Sequence, residues 1–330
     1  MPRRKSMKQR RPQIAERKLI YFLPSGNSYC DVFRDLSAIN RKLFRQGHSL
    51  VIERAEFISN YDPALVDSVV VRAFTAGETW PVHNAHVKAK AMWDEMNELV
   101  LEDNPSVKGK WHDFKVYLDD HMHAGVINAP YSASGAVGLG EWDYLKFVMP
   151  EHDVNPGTGE PVPADETFAH LVGPDVGVIG AYDSVGLVKA YGLSRATVQD
   201  VDPNVPAAFG TSFFNLLTDS GSQEPELANV IEDANDQPPY DVDAYPGGAT
   251  NCPGVISYAE IGASTIGSPL GMLSPFVAQC GLIKFDVSAY KNGLEIPFPE
   301  STPGTPGLLG IVLTVAAGKY KGVAAIPMGQ

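Results

Sequence analysis

Apolar residues recur along most of the chain in short runs bounded by Gly, Pro, Asn and Asp, a pattern typical of β-strands joined by turns. Early runs at residues 18–23, 49–58 and 66–75 each predict a strand. Further strands are predicted later in the chain, at residues 114–118, 186–191, 281–287 and 310–315. Because strands and helices do not alternate regularly, the pattern argues against a parallel α/β fold.

Two segments show the spacing of amphipathic helices instead. The first helix is predicted to begin at Ser28, its N-cap, and to continue to about Arg45, with Gly47 just beyond its end. The second is predicted from Asn84 to Asn104. Its apolar positions, including a stripe of Met and Trp, are predicted to pack in the core; they are Val87, Ala91, Met92, Trp93, Met96, Leu99 and Val100.

Long connections rich in Pro and Gly separate the later strands, at residues 155–165, 202–206, 223–251 and 297–306. A sheet core with long loops and a few inserted helices is typical of a jelly roll, in which two antiparallel sheets pack together. No internal repeat and no linker divides the chain. We therefore predict a mainly β protein with a single antiparallel jelly-roll sandwich.

Charge separates the chain into two parts. The whole chain has a formal net charge of −13, yet residues 1–18 hold eight basic residues and one acidic residue, a net charge of +7. Residues 19–330 carry 18 basic and 38 acidic side chains, a net charge of −20. This division predicts a basic nucleic-acid-binding arm at residues 1–18 and a jelly-roll shell domain with long loop insertions at residues 19–330.

Residues 1–12 of the arm are predicted to be flexible when free, because they contain too little apolar surface to offset the entropy lost on ordering. Its cations suit a phosphate backbone, since each neutralised phosphate releases counterions. A solubilising tail and a localisation signal are the alternatives. The acidic body repels nucleic acid, so contact is predicted for the arm alone. The predicted nucleic-acid-binding residues are Arg3, Arg4, Lys5, Lys8, Arg10, Arg11, Arg17 and Lys18.

Asp119, Asp120, His121 and His123 form the densest group of potential metal ligands. On a strand the two histidines would face the same side, as in the H-x-H pair of cupins. The Glu that cupins place after the second His is missing, because residues 124–128 are AGVIN. We therefore predict no metal site and no catalytic residue. A cupin-like metal-dependent enzyme centred on His121 and His123 is the alternative from another class, and a lectin-like binding jelly roll is a third.

Other motifs are incomplete. Gly135, Gly138 and Gly140 lack the spacing of a phosphate loop and predict a flexible or tightly turning loop. A group of acidic residues is interpreted as a solvated surface, with Ca²⁺ binding at subunit contacts as the alternative and no other cofactor. These residues are Glu224, Glu226, Glu232, Asp233, Asp236, Asp241 and Asp243.

The cysteines Cys30, Cys252 and Cys280 lack metal-ligand spacing and are predicted to be buried, reduced thiols. No signal peptide is visible in the sequence. The longest apolar run, at residues 308–318, is too short to cross a bilayer. We expect a soluble protein that is made inside the cell.

The order of features is a basic arm, a strand, a helix containing DLSAINRKLFRQG at residues 35–47, a β-rich body, and GKYKGVAAIP at residues 318–327. This order resembles that of capsid proteins from small circular single-stranded DNA viruses. The resemblance implies a jelly-roll coat protein, icosahedral assembly and an arm that faces the genome. We therefore predict a non-enzymatic virion protein, assembled in the host cell interior. Its predicted partners are its own copies and a single-stranded DNA genome, with RNA left open and no membrane.

Overall fold

The computed structural model describes residues 14–58, 64–109, 113–142, 144, 146–148, 166–178, 181–194, 244, 246–248, 254–262, 270–297 and 309–329. Its strands are β1 Lys18–Leu23, β2 Gly26–Asp31, β3 His48–Ile58, β4 Ser68–Thr75, β5 Tyr131–Ser132, β6 Gly135–Ala136, β7 Phe147–Val148, β8 Glu166–His170, β9 Val176–Val178, β10 Ala181–Gly186, β11 Gly254–Gly262, β12 Leu270–Leu273, β13 Phe276–Gln279, β14 Leu282–Lys291, β15 Leu294–Ile296, β16 Leu309–Val315, β17 Ala317–Tyr320 and β18 Ala325–Pro327. Its helices are α1 Val32–Asn40, α2 Trp80–Asp103 and α3 Leu187–Leu193, with 3₁₀-helices at Pro105–Gly109 and Gly140–Trp142. The prediction of a mainly β protein is confirmed.

Most strands belong to two antiparallel sheets. In the first sheet the order is β12–β3–β16–β1; β13 and β18 also pair with β3, and the β5–β6 hairpin lies beyond β1. In the second sheet the order is β11–β4–β14, and both β2 and β15 pair with the other edge of β14. The predicted strands at 18–23, 49–58, 66–75, 281–287 and 310–315 are thus confirmed as β1, β3, β4, β14 and β16.

The two sheets pack against each other through one apolar core. Every second residue of β1 and of β16 is buried, as expected for strands with one face toward the core. Phe57 of the first sheet and Phe285 of the second meet edge to face, with ring centroids 6.4 Å apart. Burial of such a side chain stabilises the fold by roughly 1.5–3 kcal/mol. The period-2 burial therefore fixes the register of both sheets.

Helix α1 is shorter than predicted and begins at a different residue. Ser28 is a buried residue of β2 that pairs with Phe285, so its assignment as N-cap is wrong. Asp31 caps the helix instead, with Oδ1 accepting from the backbone N–H of Arg34 at 3.0 Å. The helix ends at Asn40, because the left-handed backbone of Arg41 (φ 51°) stops it well before Gly47.

Helix α2 is confirmed, although it begins at Trp80 and not at Asn84, and its predicted packing is wrong beyond the first turns. Val82, Ala85 and His86 are buried against the body. Beyond His86 most of the apolar stripe is uncovered, with exposures of 62% for Met92 and 47% for Met96. The other exposed members of the predicted core face are Val87, Ala91, Leu99 and Val100. Helical spacing identified the apolar face, but it could not show that the body covers only the first turns.

A long insertion lies between β4 and β11, and its described residues carry α2, α3 and six short strands. A second apolar cluster packs Leu118, Met122 and Leu171 of the insertion with Tyr29 and Leu282 of the second sheet. The predicted strand at 114–118 is wrong, since this extended segment contributes only an isolated bridge between Tyr117 and His170.

The predicted strand at 186–191 is also wrong, because most of it forms α3. The buried positions of this helix, Val188 and Gly192, lie four residues apart, which is a helical period. The predicted loops at 155–165 and 202–206 lie outside the described residues, as do most of 223–251 and 297–306.

A two-residue corner connects the sheets, and it gives a test of this packing. Cys280 and Gly281 both have left-handed backbone (φ 55° and 69°) between β13 and β14. A Cβ placed on Gly281 would lie 2.6 Å from Cδ2 of Phe33, whereas Gly293 (φ 77°) has open space around it.

We predict that Gly281→Ala lowers the free energy of unfolding by about 2–5 kcal/mol, through left-handed strain and overpacking together. Gly293→Ala, the matched control, should cost only about 1–2 kcal/mol, because strain acts there alone. Urea denaturation measures both values. Equal losses in the two variants would contradict the contact between the corner and Phe33.

Candidate nucleic-acid interface

Residues 14–18, where the predicted arm joins the body, are fixed against α1 and the first sheet. The backbone N–H of Glu16 donates to Oδ1 of Asn40 (2.8 Å), and Nδ2 of Asn40 donates to the Glu16 carbonyl (3.0 Å). Nη1 of Arg17 donates to the Val315 carbonyl (2.7 Å) and lies 3.6 Å from Oε2 of Glu53. The start of β1 is therefore anchored, which fixes where the arm leaves the body.

Two of the predicted nucleic-acid-binding residues are described. Arg17 uses its guanidinium to hold the edge of the sheet, whereas Lys18 is exposed at the start of β1. The remaining predicted residues, Arg3, Arg4, Lys5, Lys8, Arg10 and Arg11, lie outside the described residues. Their contact with nucleic acid stays a prediction.

A second group of cations, which the sequence analysis missed, lies beside this junction. We call it the basic surface, and it consists of Arg41, Lys42, Arg45, Lys319 and Lys321. Nζ of Lys42 donates to the Ile14 carbonyl at 3.4 Å, which places it at the junction. The sequence signals are the runs RKLFR at 41–45 and KYK at 319–321, which the net charge of the body conceals.

Aromatic contacts hold the two halves of the basic surface together. Nζ of Lys321 donates to the Leu43 carbonyl and lies 5.9 Å from the centroid of the Phe44 ring and 5.5 Å from that of Tyr320. The backbone N–H of Arg45 donates to the Tyr320 hydroxyl at 3.0 Å. Partial burial and repulsion from Arg45 lower the pKa of Lys321, as expected where cations are gathered. The loop after α1 and the hairpin at β17 thus form one surface.

The predicted histidine pair lies in a turn. Residues 119–125 do not form a strand, so the argument that places His121 and His123 on one side does not apply. His121 is exposed, while Nδ1 of His123 lies 2.9 Å from the Asp120 carbonyl and its ring contacts Tyr117. Among the described residues, no three His, Cys, Asp or Glu side chains are close enough together to hold a metal ion.

Asp119 stabilises this turn and connects it to the second sheet. Its Oδ1 accepts from the backbone N–H of Met122 at 3.0 Å. Its Oδ2 accepts from the Tyr29 hydroxyl and from Nζ of Lys284, each at 3.1 Å. These contacts give the carboxylate a structural role, because all of its partners belong to the fold.

The other candidate residues have mixed outcomes. Cys30 and Cys280 are buried free thiols, as predicted, and burial raises the pKa of each. Cys252 lies outside the described residues, as do the acidic residues considered for Ca²⁺. Gly135 has φ 112° in the tight β5–β6 hairpin, which agrees with the predicted turning loop.

A buried charge network surrounds the start of α1. Oδ2 of Asp35 accepts from the Tyr21 hydroxyl at 2.7 Å, and Oδ1 accepts from Nε of Arg34 at 3.1 Å. Oδ2 of Asp31 accepts from Nε2 of Gln46 at 2.8 Å and from the Tyr144 hydroxyl at 2.9 Å. One cation thus lies among two carboxylates in the interior.

This excess of carboxylate affects the titration of Asp35. Burial is the largest influence and raises the pKa of Asp35 to about 7, although Arg34 acts in the opposite direction. Nearby Asp31 raises it further. The folded protein therefore retains a proton on Asp35 at pH values where the unfolded chain has lost it.

No family model, no curated protein and no solved structure matches this chain. None of the described helices is long and apolar enough to cross a membrane.

We predict that Asp35 makes the fold less stable as pH rises from about 4 to about 7. A group whose pKa is higher in the folded state contributes stability that is complete below its unfolded value, here 3.8, and is lost as pH rises through the folded value. The free energy of unfolding, measured by urea denaturation between pH 5 and 8, should fall more steeply in the wild type than in Asp35→Asn. Parallel pH profiles for the two proteins would contradict the raised pKa.

Proposed function

We propose that this chain is a coat protein: its body is a jelly roll that assembles with its own copies into an icosahedral shell, and its basic arm packages single-stranded nucleic acid. A jelly roll is an eight-stranded double sheet built from two Greek keys, an architecture common in viral capsids. Many copies of a weakly binding arm on one shell hold nucleic acid strongly, because the arms act together.

The pairing of the main strands is the observation that carries this proposal. In chain order the main strands are β1, β2, β3, β4, β11, the β12 and β13 pair, β14 and β16. The first strand, β1, pairs with the last, β16. The second strand, β2, pairs with the seventh, β14. The third strand, β3, pairs with the sixth element, which consists of β12 and β13. The fourth strand, β4, pairs with the fifth, β11. These nested pairings are those expected of one long antiparallel hairpin rolled into two sheets, so they support the jelly roll.

The position of the arm supports the packaging role. It precedes β1, and residues 14–17 are held against the end of α1. The arm carries a net charge of +7 and joins a body with a net charge of −20. Phosphate is therefore attracted to one end of the chain and repelled by most of the rest.

We predict that replacing Arg3, Arg4, Lys5, Lys8, Arg10 and Arg11 by Gln leaves assembly intact but yields particles depleted of nucleic acid. The substituted residues precede the anchored junction, so the fold should be retained. Negative-stain microscopy reports the particles, and the ratio of absorbance at 260 and 280 nm reports their nucleic acid.

As a control of equal size, six exposed neutral residues of the body can be replaced by Ala, which should leave packaging unchanged. Particles of the arm variant with wild-type nucleic-acid content would refute the role of the arm. A wild-type chain that stays monomeric across salt and pH would refute the coat function itself.

A further inference from the structure

The basic surface carries a local excess of positive charge in an acidic body. Residues 41–45 and 319–321 contain five of the 18 basic residues in the body and no acidic residue. The rest of residues 19–330 then carries 13 basic and 38 acidic side chains. These two segments are therefore expected to attract phosphate, whereas the acidic remainder of the body is expected to repel it.

Its cations are accessible. Arg41, Lys42, Arg45 and Lys319 are exposed, and Lys321 is partly buried. The buried carboxylate of Asp113 lies 3.6 Å from Nη1 of Arg45. Among the described residues, no carboxylate lies within ion-pair distance of the other exposed cations, Arg41, Lys42 and Lys319. Their charge is thus available to an anion from outside.

A purely structural explanation accounts for only part of this surface. Arg41 and Lys42 follow α1, and cations near a helix C-terminus favour the helix. Lys319 and Lys321, however, come from a hairpin far along the chain, and the bond from Lys321 to the Leu43 carbonyl holds that hairpin in place. The fold thus brings Lys321, which the helix does not require, close to Arg45 and Lys42, at a cost in mutual repulsion.

We propose that the basic surface is a second nucleic-acid-binding site, in which Arg41, Lys42 and Lys319 contact the phosphates of a single strand that continues from the arm. Lys321 and Tyr320 position the loop and the hairpin. The contact with Ile14 puts Lys42 at the start of the anchored junction, so one strand can reach both sites. This inference rests on the proposed packaging function, and it differs from the expectation that only the arm contacts nucleic acid.

The test uses the full chain and a fluorescent oligo-dT, with affinity measured by anisotropy over a range of NaCl concentrations. In the triple variant Arg41→Gln, Lys42→Gln, Lys319→Gln, binding should weaken by at least about tenfold near physiological salt. The slope of log Kd against log salt should decrease by about 2, since each single-strand phosphate contact contributes about 0.7.

The matched control is Arg54→Gln, Lys108→Gln, Lys146→Gln, which removes the same charge from exposed positions outside the basic surface. The control should retain the wild-type salt slope. If both triple variants bind oligo-dT with the same affinity and the same salt slope, the basic surface is not a phosphate site. The proposed packaging role of the arm is unaffected by that result. A wild-type chain that does not bind the oligonucleotide at all would overturn the proposed function as well.

A protein contact at the same surface gives a different result. An acidic segment of another copy, such as residues 94–103 of α2, would also be attracted to these cations. In that case the Arg41, Lys42, Lys319 variant would lose self-association in the absence of nucleic acid, yet bind oligo-dT like the control. That combination would overturn the assignment to nucleic acid.

Discussion

The rest of the structure depends on a buried cation, Arg34, that lies between the buried carboxylates of Asp31 and Asp35. This group holds several parts of the chain together. Arg34 bonds Asp35 and also donates to the Asn128 carbonyl at 2.7 Å. Through Asp31 and Asp35 the network reaches β1, β2, the start of α1 and the insertion. Removing one member of such a buried pair typically costs about 3–5 kcal/mol, because the remaining charge is left uncompensated. The network therefore makes the position of α1 specific, in addition to the apolar core.

The same network determines the shape of the basic surface. Gln46, which bonds Asp31, also accepts from the backbone N–H of Val116 at 2.8 Å, so the end of the loop after α1 is tied to the insertion. The Ser37 hydroxyl accepts from the backbone N–H of Phe44 at 2.8 Å, which closes that loop on the helix. Cations on a loop fixed at both ends need less ordering when they bind an anion.

Local patterns predicted five strands correctly, but they also predicted two strands that do not form, and they predicted the environment of the helices poorly. The β1 and β16 segments alternate with period 2 and face one core, so sequence alone located them. Ser28 was mistaken for a cap because pairing with β14 depends on residues more than 250 positions away. The exposed stripe of α2, with Met96 at its centre, has the spacing of a core helix, and only the extent of the body shows that it is uncovered.

Composition alone predicts the basic arm, and its contact with nucleic acid stays a prediction. The basic surface was missed because its two runs lie far apart in sequence and their charge is lost in a strongly acidic total. Conversely, the H-x-H pattern overstated the relation between His121 and His123, because it assumed a strand where the chain turns.

The insertion leaves and re-enters the second sheet at adjacent points, since Thr75 at the end of β4 pairs with Gly254 at the start of β11. Neighbouring strands lie about 4.8 Å apart, so the chain between these residues closes a loop whose ends the sheet already holds together. Evolution can lengthen, shorten or replace such an excursion without shifting the register of the sandwich. The insertions of related chains can thus diverge while the two-sheet framework stays the same.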